Sequence, residues 1–151
     1  MRRLAFLVPM LACSGAISQE AAGGPFELHF GGVSHHWRHD DEHNDLNLGL
    51  GLEYRFSADL GVIAGYYQNS NHKPSEYALL RYQPLHLGPV QLGGLAGVVN
   101  GYDRDDGARA NGAAMLAASV DLERLNVSLV GMPSVGRRVD GCVSLQFGWR
   151  L

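Results

Sequence analysis

The sequence predicts an all-β fold: an eight-stranded antiparallel up-and-down transmembrane β-barrel. Three observations carry that prediction. First, residues 46–56 alternate without a break. Leu46, Leu48, Leu50, Leu52, Tyr54 and Phe56 are apolar, while Asn47, Gly49, Gly51, Glu53 and Arg55 are polar or glycine. A strand sends successive side chains to opposite faces, so this ribbon has one greasy side and one small or wet side. Its length suits a tilted strand crossing hydrocarbon, about 9–11 residues, better than the ~5–6 of a soluble strand. Second, the theme recurs down the chain, with long and short connections taking turns. Third, an export signal precedes it, and no later apolar run reaches the ~18 residues of a membrane helix. Such a chain enters a membrane only as a closed barrel, because open sheet edges would leave backbone groups unpaired in lipid.

The totals fit this picture. A chain of 151 residues has room for one domain. A net charge of -3 and a pI near 6.1 offer no basic surface, so nucleic acid is not an expected partner. Twenty glycines and 46% hydrophobic residues exclude disorder, and helix-period stripes are scarce. Arg2 and Arg3, the apolar run Leu4 to Leu11 and the small residues Ala16 and Ser18 read as a signal peptide over 1–18, cut after Ser18. The barrel domain then spans 19–151. Met10-Leu11-Ala12-Cys13 also loosely resembles a lipoprotein signal. After cleavage at Ser18, Cys142 is alone and no internal disulfide is possible.

The strands follow in order. The first runs from Phe26 to about Trp37, with Phe26, Leu28 and Phe30 on one face, and the charged stretch Arg38 to Asp45 follows. The second is the 46–56 ribbon, turned by Ser57-Ala58-Asp59. The third, Leu60 to about Ser70, puts Leu60, Val62, Ala64 and Tyr66 on one face. After a polar loop, Asn71 to Ser75, the fourth covers about Glu76 to Gln83, where Pro84 and Gly88-Pro89 break the chain. The glycine-rich fifth, Val90 to Tyr102, leads to a charged loop, Asp103 to Asn111. The sixth runs from about Ala113 to Leu122 and turns at Glu123-Arg124; the seventh is Asn126 to Met132, followed by the loop Pro133 to Asp140. The last strand sets Val143, Leu145, Phe147, Trp149 and Leu151 against Cys142, Ser144, Gln146, Gly148 and Arg150. Long loops follow the odd strands and short ones the even strands. Bacterial outer-membrane barrels have short periplasmic turns and longer extracellular loops, which puts the charged loops outside.

Parity predicts the interior. Gly49, Gly51, Ile63, Gly65, Leu95, Gly97, Val130 and Met132 face inward in the outer half, and Glu53, Arg55, Gln91, Gln146 and Arg150 in the inner half. The glycines either relieve crowding in a tight barrel or leave a slot for one hydrocarbon chain, stopped by the polar floor. A water pore is not expected at this strand number.

The outer rim collects the reactive side chains: Ser34, His35 and His36 end the first strand, and Asn69 and Ser70 the third. A neutral imidazole suits general-base work in acyl transfer, and a nearby hydroxyl can be nucleophile or oxyanion donor. No G-x-S-x-G elbow is present. The run His35-His36-Trp37-Arg38-His39-Asp40-Asp41-Glu42-His43 holds metal-ligand types, but one loop rarely imposes tetrahedral geometry, so no metal and no cofactor is expected. Asp103, Asp105 and Asp106 before Gly107 miss the calcium-loop spacing; they suit a shared layer of divalent ions with lipopolysaccharide. Arg38, Lys73, Arg104, Arg109, Arg137 and Arg138 lie in the outer loops, where guanidinium forks suit lipid phosphates.

These rim residues carry a resemblance. The chain resembles the PagP-type lipid A palmitoyltransferases in Ser34-His35-His36, in Gly65 through Ser70, in Leu92 through Tyr102 and in Val130-Gly131-Met132-Pro133. The resemblance implies an eight-stranded barrel whose interior measures an acyl chain, with a catalytic His matching His36 and a catalytic Asp-Ser pair matching Asn69 and Ser70. It also implies lipid access beside the proline that matches Pro133. Gly49, Gly51, Gly65, Gly97 and Met132 would then line the acyl slot, and Arg137 and Arg138 would meet lipid A phosphates. Asn69 stands where the family has Asp, so it offers no charge to an imidazolium, though its carbonyl can orient a tautomer or its amide an oxyanion. The family's amino-terminal helix has no room between Ser18 and Phe26. By parity His36 shares a face with Phe30 unless Gly31-Gly32 forms a bulge. Its strand also lies two positions from the Asn69 strand, about 10 Å at roughly 4.8 Å per strand.

The leading expectation is therefore a monomeric acyltransferase of the bacterial outer membrane, moving a fatty acyl chain from a phospholipid to lipid A. One rival is a non-enzymatic barrel that stabilises the envelope or binds a lipid or partner through its loops. A second is a lipid A deacylase, although no His-x-Ser arrangement lies on a late strand.

Overall fold

Two-residue alternation builds the wall of the molecule. The computed structural model describes residues 23–37, 44–102, 110–134 and 141–151. In them lie β1 (Phe26–His36), β2 (Leu46–Arg55), β3 (Leu60–Gln68), β4 (Pro74–Leu87), β5 (Val90–Val99), β6 (Asn111–Leu122), β7 (Leu125–Met132) and β8 (Cys142–Arg150). Each strand pairs antiparallel with the next and β8 returns to β1, closing an eight-stranded barrel without a free edge. Residues 1–18, where a signal peptide is expected, and most of the charged loops, Arg137 and Arg138 included, lie outside the described residues.

Several boundaries differ from expectation. β4 does not stop at Gln83 but runs through Pro84 to Leu87. Pro84 sits where the β4–β5 register shifts, between Tyr82 and Leu85. A proline lacks the N–H a ladder needs, so a bulge is where a strand tolerates it. The break comes instead at Gly88, whose φ of 61° turns the hairpin. β5 ends at Val99 rather than Tyr102, the β3–β4 connection falls at residues 69–73 rather than 71–75, and β6 begins at Asn111 rather than about Ala113.

Burial is inverted relative to a water-soluble protein. Leu48, Leu50, Leu80, Leu116 and Leu129 are exposed on the outer wall, while Glu27, Glu53, Arg81 and Arg150 are buried inside. Phe26, Tyr54, Phe56, Tyr82 and Trp149 are exposed toward the end with the short turns. The Phe26–Tyr54 and Tyr54–Phe56 rings meet edge-on at 5.3 and 5.1 Å. No described helix is long enough to cross a membrane. An even-numbered antiparallel barrel with an apolar wall and an aromatic girdle is built for a bilayer, as the outer-membrane barrels of bacteria are.

Inside, an apolar layer lies above a charged floor. Ile63, Leu79, Leu95, Ala117 and Val130, one each from β3 to β7, form the buried core, with Tyr77, Ala113 and Met115 against it. Below it, Arg81 Nε donates to Glu53 Oε1 at 2.6 Å, and Arg55 Nη2 lies 2.7 Å from Glu27 Oε2. Asp121 accepts from Arg55 at 3.2 Å and from Arg150 at 2.8 Å. Glu53, Arg55, Gln91, Gln146 and Arg150 all face inward, as parity predicts. Gly61 and Gly148 stand where a side chain would strike the carboxyl groups of Glu53 and Glu27.

Candidate functional site

The mouth of the barrel depends on a bulge in β1. Register shifts between Phe30 and Gly32 on the β2 side and between Phe30 and Val33 on the β8 side. A Cβ at Gly31 would strike Asn47 O, and one at Gly32 would strike Leu145 O, so only glycine permits the close approach. Phe30 and Val33 both face lipid as a result, and Ser34 and His36 turn inward. His35 stays outside against Trp37, their rings 6.2 Å apart.

Ser70 reaches His36 from β3's end. The chain leaves β3 at Gln68 and turns tightly, with His72 at a φ of 59° and its N–H donating to Asn69 O at 3.0 Å. This turn carries Ser70 over the rim, where Ser70 Oγ lies 3.0 Å from His36 Nε2. Both residues are 8% exposed. Barrel tilt and stagger bring together two elements separated by β2.

Asn69 does something other than expected. Its Nδ2 donates to Ser75 Oγ at 2.9 Å and to Gly101 O at 2.8 Å, and its Oδ1 accepts from the backbone N–H of Asn71 at 2.9 Å and Lys73 at 3.0 Å. Two donors and two lone pairs are all engaged, so the amide has nothing left for the His36 ring or an oxyanion. It is the pin of the turn that presents Ser70.

The carboxylate beside His36 comes from Asp45, which sequence reading left among solvated loop charges. Asp45 Oδ1 lies 3.7 Å from His36 Nδ1. The segment is stitched across the rim, with Ser34 N–H donating to Asp45 O at 2.8 Å and Asn44 N–H to Ser70 O at 2.9 Å. Its one sequence signal is position: Asp45 immediately precedes the alternation of β2. Tyr67 and Tyr102 were missed too. Their hydroxyls lie 2.7 Å apart. Loss of hydration pushes the Tyr102 phenol above the ordinary tyrosine range, so it remains a neutral hydroxyl. Cys142 lies opposite His36 in the ladder and Met132 opposite Cys142.

The glycines do not line an open slot. The Tyr77 hydroxyl occupies the place of a side chain at both Gly51 and Gly65. At Gly49 that place is taken by Tyr66 O and Tyr67 Cβ, and at Gly97 by Ala78 O and Leu79 Cα. They relieve crowding where strands and Tyr77 pack closely. A different feature of the wall lies between β6 and β7. The β6–β7 ladder stops at Leu116↔Gly131, whereas β6 continues to Asn111, paired there only with β5 among the described residues. Pro133, exposed, follows β7 at this seam, and Met132 is half-buried beside it. Ala113 and Met115 on this stretch pack against the apolar core.

In the floor, ligand-type atoms of Glu27, His29 and Glu53 lie within 4.8 Å of one another. Arg55 and Arg81 already neutralise these carboxylates, and His29 Nε2 lies 2.8 Å from Glu53 Oε2. A divalent ion there would add charge to a set already balanced by guanidinium groups. The loops holding the other metal-ligand types lie largely outside the described residues.

No protein-family model and no curated protein matches the chain. Among solved structures, the N-terminal β-barrel domain of Pseudomonas aeruginosa OprF is similar at 14% identity and a TM-score of 0.45, over 84% of this chain and 98% of that one. Ail, the attachment invasion locus protein of Yersinia pestis, is similar at 14% identity and a TM-score of 0.38, over 83% of this chain and 96% of that one.

Proposed function

We propose that this outer-membrane barrel is a PagP-like acyltransferase, moving a fatty acyl chain from a phospholipid to lipid A at the outer leaflet. The observation that carries the reading is the Ser70 Oγ to His36 Nε2 distance of 3.0 Å at the barrel mouth. A hydroxyl donating to an imidazole is the arrangement that makes it a nucleophile. Ser70 Oγ attacks the donor ester carbonyl as its proton passes to His36 Nε2, and His36 returns that proton to the departing lysophospholipid oxygen. The lipid A hydroxyl then attacks the acyl-Ser70 ester, giving its proton to His36, and Ser70 leaves with it. The outer stretch of β6 from Gly112 to Met115, which among the described residues has no β7 ladder partner, supports the reading as a place for lateral approach from lipid.

A second reading, a non-enzymatic barrel acting through its loops, draws on the filled interior, where the core and Tyr77 occupy the layer a buried acyl chain would need. Lipid A mass in cells expressing wild type, His36→Ala or Ser70→Ala separates the two. The transferase reading expects one added acyl mass with wild type and none with either variant. No addition by wild type, or equal addition by all three, leaves the loop-binding barrel; a loss of acyl mass points to a deacylase.

A further inference from the structure

The geometry points to Asp45 as the positioning residue of a Ser70–His36–Asp45 relay, so that the acid working on the histidine comes from the start of the second strand and not from position 69. This deepens the acyl-transfer reading and rests on Ser70 being the nucleophile. If His36 Nε2 accepts the Ser70 proton, its Nδ1 carries the ring's own hydrogen, and the group Nδ1 faces decides how well the imidazolium is tolerated. Asp45 Oδ1 lies 3.7 Å from that atom. The backbone of Asn44 and Asp45 is held to Ser70 and to Ser34 by bonds of 2.9 and 2.8 Å, which fixes the segment that carries the carboxylate beside the ring. Asn69, the alternative, has every side-chain polar group engaged with its own turn, with Ser75 and with Gly101.

The chemical consequence is graded. When Ser70 attacks a carbonyl, its proton moves to Nε2 and a positive charge appears on the ring. A carboxylate at Nδ1 stabilises that charge and holds the tautomer that leaves Nε2 free to accept. The Asp45 side chain is 61% exposed, so solvent weakens its pull. Its removal should cost roughly tenfold in the rate of attack, well short of the about 10⁴-fold seen for a fully buried triad acid.

The test uses the full protein in membranes and an alkyl fluorophosphonate, which phosphonylates an activated serine as Oγ bonds to phosphorus and fluoride leaves. This readout does not require lipid A, so failure of lipid A acylation and failure of the relay are seen separately. Wild type should be labelled at Ser70, and Ser70→Ala should not be. Asp45→Asn should label roughly tenfold more slowly, and Asp45→Glu, which restores the charge, should recover most of the rate. Wild-type and Asp45→Asn rates that agree would overturn the inference. So would absence of label on wild-type Ser70, or Asp45→Glu as slow as Asp45→Asn, which marks a loop-shape effect.

Discussion

The two ends of the barrel interior solve the same problem in opposite ways. In the floor, every buried acid meets a guanidinium: Glu27 with Arg55, Glu53 with Arg81, Asp121 with Arg55 and Arg150. At the mouth the buried polar groups are Ser34, Ser70, Ser75, His36 and Asn69, with a pair of more exposed tyrosine hydroxyls and one largely exposed carboxylate at the edge. Charges locked against each other inside a low-dielectric barrel hold geometry, because moving one strands its partner. Neutral hydroxyl and imidazole groups can pass protons without that penalty. The floor is thus the brace of the structure and the mouth is its chemically adaptable end.

The sharpest break of this contrast is Glu53→Ala. It strands Arg81 and removes the acceptor of His29, both inside the barrel. Breaking a buried pair from one side costs about 3–5 kcal/mol. Ser70→Ala at the mouth removes a single hydrogen bond, about 1 kcal/mol. Urea unfolding in lipid vesicles should rank the two in that order with a clear gap. Equal losses would mean that the mouth braces the barrel as much as the floor does.

How much of this was legible in the sequence follows the same division. Alternation along Leu46 to Phe56 settles which side of β2 faces inward, so Glu53 and Arg55 could be placed in the floor before any coordinates. Ile63, Leu95 and Val130 could likewise be placed in the core. The mouth was harder. Gly31-Gly32 allowed a bulge but did not require one, and without it His36 faces lipid. The meeting of His36 with Ser70 depends on tilt and stagger, which no local pattern encodes. Asp45 ends a charged run that reads as solvated loop, and its place is set by the Ser34 and Asn44 backbone bonds. Glycines told of missing side chains, and only packing showed that Tyr77 fills the space at Gly51 and Gly65.

A smaller effect sharpens the account of the mouth. Asn69→Asp restores the acid that the palmitoyltransferase resemblance expects, yet here it removes the donor to Gly101 O and sets a carboxylate against that carbonyl. Leaving such a buried group unsatisfied costs about 1–3 kcal/mol. The variant should unfold at lower urea than wild type and gain no transfer activity. A gain in lipid A acylation would show that the acid works best from the third strand, against the Asp45 assignment.

The smallest expected effect on stability is at Gly131, which faces outward where the β6–β7 ladder stops. A Cβ built there meets nothing within 4 Å, unlike at Gly51 or Gly97, where it meets packed atoms. Gly131→Leu should therefore change unfolding by no more than about 0.5 kcal/mol, as exposed substitutions away from special features do. The new side chain would stand beside Leu116, where the β7 ladder along β6 stops among the described residues. If lipid reaches Ser70 through that seam, acylation of lipid A falls while fluorophosphonate labelling of Ser70 is less affected, since the small probe also arrives from water. A loss of stability as large as that of Glu53→Ala would show that the outer wall at this seam is packed, and the approach from lipid would have to lie elsewhere.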